Sequence, residues 1–115
     1  MISMKKFTKN NIETARTLVE NRISYFNKFY NFNINRIAIK NQRSRWGSCS
    51  SRANLNFNYK IIFLEPQFAD YLIVHEICHL KEFNHSKNFW DLVKKTIPNY
   101  KEINHKLRKL PINLV

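Results

Sequence analysis

The residues best equipped for chemistry are His75-Glu76-Ile77-Cys78-His79, an HExxH pattern. Side chains four apart on a helix share one face, so His75 and His79 can present two imidazoles to one ion at about 2.0 to 2.1 Å. Glu76 is turned from His75 by roughly 100°, the helical rotation per residue. It can therefore flank such an ion and take a proton from a water held there without being a ligand itself. His85 follows in the next segment and supplies a third imidazole. Three neutral imidazoles on a tetrahedral ion leave one position open for water, which separates a catalytic zinc from a structural one. The expected metal ligands are His75, His79 and His85, and the expected general base is Glu76.

The distance from His75 to His85 is that of the third histidine in the HExxHxxGxxH pattern. The glycine position of that pattern is Glu82 here, so the turn has to be made differently. Glu102, on a later segment, is a rival third ligand. No Met-turn has a source, because the methionines are Met1 and Met4. Cys78 points away from the histidine face and reads as a packed core thiol. Tyr100, His105 and Arg45 compete to stabilise a developing oxyanion, and the sequence does not choose among them.

The elements that must position these groups follow from periodicity. Thr8 reads as an N-cap, and Ile12, Ala15, Val19, Ile23, Phe26 and Tyr30 recur at helical spacing behind it. Ile37 and Ile39 alternate with Arg36, Ala38 and Lys40, and a short extended segment runs from Trp46 to Cys49. Ser50-Ser51-Arg52-Ala53 reads as a turn. Leu55, Phe57 and Tyr59 then alternate with Asn54, Asn56 and Asn58, the pattern of a strand with one buried and one wet face. Two or three antiparallel strands are expected. Pro66 suits a first helical position, and the helix carrying Phe68, Tyr71, Leu72, His75, Cys78 and His79 is expected to end between Lys81 and Asn84, where Asn84 tolerates a left-handed turn. Ser86 caps a helix holding Phe89, Trp90, Val93 and Ile97, which Pro98 closes. A last helix from about Tyr100 aligns Ile103, Leu107 and Leu110.

The bulk properties set bounds. A chain of 115 residues builds one core and not two, so residues 1–115 are expected to form a single domain. A formal charge of +12 favours a polyanionic partner, an acidic substrate or colloidal solubility. From Asn21 to Leu64 there is no acidic residue, while Arg22, Lys28, Arg36, Lys40, Arg43, Arg45, Arg52 and Lys60 fall in that stretch. This is either a nucleic-acid-binding face or a solvated one. The two cysteines, Cys49 and Cys78, form neither a disulfide framework nor a CxxC knuckle, as expected of reduced thiols in a cytoplasmic protein. Polar residues follow Lys5 and Lys6 where a signal peptide needs an apolar stretch, and no apolar run approaches a bilayer span.

Two blocks together resemble a known family. They are Arg45-Trp46-Gly47-Ser48-Cys49-Ser50-Ser51 with Asn54-Leu55-Asn56-Phe57-Asn58, and His75-Glu76-Ile77-Cys78-His79-Leu80 with Asn84-His85-Ser86 and Phe89-Trp90. The chain resembles the YgjP-like metallopeptidases, related to the SprT-type zinc proteases, from about Asn21 to Leu110. The resemblance implies an α+β, zincin-like fold. In it a small antiparallel sheet packs with an N-terminal helix and the HExxH helix, which lies beneath the edge strand, and two C-terminal helices follow. It also implies zinc on His75, His79 and His85 with Glu76 as general base. Longer members carry an additional N-terminal region, so the chain is expected to be a minimal catalytic core.

The favoured function is hydrolysis of peptide bonds by one zinc ion per chain, with Arg45, Trp46, Gly47 and Ser48 lining the substrate cleft. Gly47, the only glycine, permits close backbone approach, and Trp46 reads equally well as a core residue. Two alternatives stand beside it. One is a zinc hydrolase of a nucleotide phosphoanhydride, with Arg43, Arg45 and Arg52 as phosphate clamps. The other is a nucleic-acid-binding module whose zinc is structural, closed by His105 or a cysteine.

Overall fold

Helix α1, Lys9–Tyr30, begins where Thr8 takes the extended conformation and its hydroxyl accepts the Asn11 N–H. It stops at Asn31, whose left-handed backbone closes the last turn onto the Asn27 carbonyl. The expected stripe is the observed one, with Ala15, Val19, Ile23, Phe26 and Tyr30 buried. This computed structural model describes residues 5–115, so the two methionines lie outside the described residues.

Three strands follow: β1 (Arg36–Lys40), β2 (Gly47–Cys49) and β3 (Asn54–Asn58). The fold is α+β as expected, but the sheet is mixed, not antiparallel. Chain direction reverses between β1 and β2 and again at the turn after β2, so β1 and β3 point the same way. Because β3 lies in the middle, β1 pairs with it in parallel while β2 pairs antiparallel. Periodicity gives each strand but not the order of neighbours. The turn at Ser50–Ala53 forms as read, with Ala53 in the left-handed region and its N–H donating to the Ser50 carbonyl.

The strand pattern fails at its end. Tyr59 belongs to a 3-10 turn, Tyr59–Phe63, and Asn58, read as a wet-face residue, is fully buried. The segment leading into β2 folds back over the end of β3. There the Asn58 amide donates to the carbonyls of Gln42 (2.7 Å) and Arg45 (3.0 Å), and its oxygen accepts the Lys60 N–H. A buried backbone carbonyl needs a partner, and one carboxamide serves two of them.

Helix α2, Pro66–Cys78, starts with Pro66 at its first position and is buried nearly all round. It packs against α1, β2, α3 and α4, so its sequence shows no single apolar stripe. It ends at Cys78 with His79 as C-cap, earlier than expected, and the chain leaves through a turn in which the Glu82 N–H donates to the Cys78 carbonyl. Among the described residues only Asn31 and Ala53 have positive φ, so Asn84 does not make the left-handed turn assigned to it. Helix α3, Lys87–Thr96, is capped by the Ser86 hydroxyl, and α4 spans Tyr100–Arg108. Ile103 and Leu107 are buried on α4, whereas Leu110 lies beyond the helix and is exposed. Among the described residues no helix is long and apolar enough to cross a membrane.

Candidate metal centre

α2 delivers His75 and Glu76 to the underside of β2, and the turn after it carries His79 and His85 to the same place. The candidate ligand atoms of His75, His79 and His85 all lie within 4.8 Å of one another. The Nε2 atoms of His79 and His85 are 3.0 Å apart. Nitrogens around a tetrahedral ion at about 2.1 Å stand roughly 3.4 Å from each other, a spacing that small side-chain rotations reach. No fourth histidine, cysteine or acidic residue joins the group among the described residues.

Local contacts prepare the imidazoles. His79 Nδ1 is 2.9 Å from the Glu82 carbonyl; a carbonyl only accepts, so Nδ1 carries the proton and Nε2 keeps its lone pair. Glu82, standing where the related pattern has glycine, thus contributes its backbone to the site. His75 Nδ1 is 3.2 Å from Glu76 Oε2, which orients ring and carboxylate together. Burial lowers the pKa of His79 against the opposing effect of the Glu82 carbonyl. His85 is lowered by burial and then by the neighbouring His75 and His79. Both are held neutral at ordinary pH, the form that binds metal. Phe89 and Trp90 of α3 pack around the rings, Phe89 stacked on His79 and Trp90 stacked on His85.

Gly47 stands directly across from Glu76. A Cβ placed on it would lie 2.9 Å from the Asn56 carbonyl oxygen and 3.2 to 3.3 Å from the Glu76 side chain. The only glycine of the chain is therefore what lets the edge strand close down over Glu76. Two cavities meet there, sharing Gly47, His75 and Glu76. One also contains His79, His85, Arg45, Ser48 and Cys49. The other extends past Trp46 and Tyr71 to α4.

The YgjP-like metallopeptidase domain matches residues 3–110. The chain belongs to this family. Two solved structures share its fold. The crystal structure of the metallopeptidase zymogen abylysin of Pyrococcus abyssi is 23% identical with a TM-score of 0.71, covering 79% of this chain and 92% of that one. That of the metallopeptidase zymogen jannalysin of Methanocaldococcus jannaschii is 21% identical with a TM-score of 0.69, covering 84% and 97%. A search of curated proteins found no match.

Within this YgjP-like domain the other sequence candidates separate. Arg45, Trp46, Gly47 and Ser48 all border the two cavities beside Glu76, and Trp46 does so while also packing on the core. Glu102 is not brought to the histidines; it is exposed on α4 and pairs with Lys106 at 3.0 Å. His105 and Tyr100 line a neighbouring cavity with Trp90, which shares Asn104 and Arg108 with the cavity beside Glu76 but does not include Glu76. Cys78 is fully buried, and burial pushes its thiol up to about 12. Cys49 borders the histidines, where burial and then the charge of Glu76 push its thiol up to about 11, and its sulfur is not among the ligand atoms that converge. Of the basic stretch, Arg22 is bound to Asp70 through two hydrogen bonds and Lys60 to the Ile112 carbonyl, so two of those cations hold the fold together. Sequence reasoning treated Tyr71 as a helix-face residue and did not anticipate Asn104 or Arg108, yet all three line the cleft beside Glu76. Asn104 and Arg108 stand one turn apart on α4, but Tyr71 lies more than thirty residues before them, and no local pattern joins the two helices.

Proposed function

We propose that this chain is a zinc-dependent peptidase in which His75, His79 and His85 hold the ion and Glu76 is the general base. The observation that supports it most is the convergence of three imidazoles beside a carboxylate pinned under an edge strand. An all-imidazole set of three with no fourth protein ligand suits zinc in its catalytic form. When bound, the ion supplies Lewis acidity that makes a water nucleophilic near neutral pH and polarises the scissile carbonyl.

The protein's own groups do the rest. Glu76 accepts the proton of the attacking water on its carboxylate and returns it to the leaving amine. Gly47 and His75 hold that carboxylate between strand and helix, so little reorganisation is needed on proton transfer. β2 pairs on one side only, and its outer edge is available to an extended peptide, whose main chain would add as a further strand. Such pairing reads backbone and leaves side-chain selection to the flanking cavities.

The test is hydrolysis of unfolded protein substrates and, in parallel, of nucleotides by the zinc-loaded chain and by Glu76→Gln. Peptide cleavage that disappears in the variant is expected. Turnover of nucleotide but not peptide, dependent on Glu76, would overturn the peptidase reading.

A further inference from the structure

The cavity on the far side of Glu76 from His79 and His85 has a volume of about 410 Å³. Leu72 of α2 and Leu107 of α4 line it together with Tyr71, Asn104, Arg43 and Arg108. Tyr71 lies one helical turn before His75 and is 2% exposed, yet its hydroxyl makes no hydrogen bond among the described residues. Burial raises its pKa, with Arg108 opposing, so the phenol keeps its proton as a donor. The ring is buried while the hydroxyl opens on the cavity, where no protein acceptor meets it, so a ligand that enters can accept its proton.

The charges around it have one sign. Arg43 and Arg108 form no ion pair among the described residues, and the only acidic side chain lining the cavity is Glu76. Unpaired arginines are ordinary on a chain of net charge +12. What distinguishes these two is that they line one cavity with the Tyr71 hydroxyl and the Asn104 side chain, and that Arg108 is near enough to act on the Tyr71 phenol. Planar guanidinium groups match a carboxylate with two parallel hydrogen bonds. The leucine walls suit the methylene stem of a side chain, which a phosphate lacks.

Resting on the peptidase reading above, we propose that this cavity is the specificity pocket of the cleft and receives a substrate carboxylate between Tyr71, Arg43 and Arg108. The carboxylate comes from an aspartate or glutamate side chain, or from a chain terminus.

The experiment has two stages. A peptide library cleaved by the zinc-loaded wild type gives the preferred residue at each position around the scissile bond. Matched peptides carrying Glu, Gln or Lys at the selected position, each with a free or an amidated terminus, are then titrated calorimetrically into Glu76→Gln, which binds without turnover. The pocket assignment expects the Glu peptide to bind at least tenfold more tightly than the Gln peptide. That preference is lost with Arg108→Ala, retained in part with Arg108→Lys, reversed toward Lys with Arg108→Glu, and weakened with Tyr71→Phe. Arg108-dependent binding that is lost on amidation whatever the side chain assigns the pocket to a terminus, and a Glu preference that survives amidation assigns it to a side chain. Equal binding of Glu, Gln and Lys peptides that amidation leaves unchanged overturns the proposal, as does Arg108-dependent binding of nucleoside triphosphates without peptide preference. If the wild type cleaves peptides with neither an acidic preference nor dependence on a free terminus, the pocket fails and the peptidase stands. If Glu76→Gln binds acidic peptides through Arg108 but the wild type cleaves none, the peptidase reading fails and the pocket stands.

Discussion

The two sides of the cleft are built differently. The histidine side comes from one short run, the end of α2 and the turn after it, so its three imidazoles and Glu76 are near neighbours in sequence. The opposite side is assembled from Arg43 before β2, Tyr71 in α2, Asn104 and Arg108 in α4, and the chain beyond Leu110. The first is a local device that a helix and one turn suffice to form. The second exists only once α4 has packed on α2 and the β1–β2 connection has folded over β3. Catalytic power is expected to depend on the local side and selectivity on the assembled one.

The largest expected effect tests that division. Glu76→Gln removes the base while keeping its shape, and turnover should fall by about 10² to 10⁴-fold, the usual contribution of a general base, with metal content unchanged by elemental analysis. His79→Ala should instead lose the stoichiometric metal, since the imidazole oriented by Glu82 is gone. Both variants should still bind substrate on the Tyr71 side. If Glu76→Gln kept full activity, the histidine side would not be the seat of the chemistry.

Gly47 belongs to both sides and should show it. In Gly47→Ala the new methyl meets a backbone oxygen at 2.9 Å, so strand or carboxylate has to move. Overpacking of this kind costs about 1 to 3 kcal/mol, measurable by denaturant unfolding. The accompanying loss of turnover should exceed what the fraction folded explains, because Glu76 is displaced as well. An alanine variant of full activity would show that the close approach of β2 to Glu76 is not required.

How much of this was legible in the sequence follows from the same contrast. HExxH and the later histidine state their own geometry, because helical spacing fixes which side chains meet. The α1 stripe, the Ser50–Ala53 turn, the caps at Thr8 and Ser86 and the helix start at Pro66 were equally readable, each being a local choice. Sheet order was not, since strand alternation says nothing about which neighbour lies beside which. Asn58 is the sharpest case: the third asparagine of an alternating polar row looks solvent-facing, and only the loop folded over it reveals a buried clamp. Asn58→Ala should therefore cost about 1 to 3 kcal/mol for the carbonyls left unpaired. It should weaken substrate affinity more than it disturbs metal binding, since it releases the segment carrying Arg43 and Arg45. Equilibrium unfolding beside metal titration checks this.

The smallest expected effect separates the two sides by pH. Burial holds the pKa of His79 and of His85 below the ordinary 6.5, with the charge of Glu76 opposing in both and Arg108 reinforcing the effect on His85. As pH falls from 6.5 toward those lower folded values, the unfolded chain takes up protons that the folded chain refuses. The metal-free protein should therefore carry the full contribution of these groups above pH 6.5 and lose it through that window. Tyr71, pushed upward by burial, keeps its proton across the whole range and adds no slope there. Thermal melts of the metal-free chain at pH 7.5 and pH 5 should show the decline, and His79→Gln should flatten it. A decline unchanged in that variant would mean that His79 is not the group responsible, and that its proton affinity is not set by the packing of Phe89 and the turn around it.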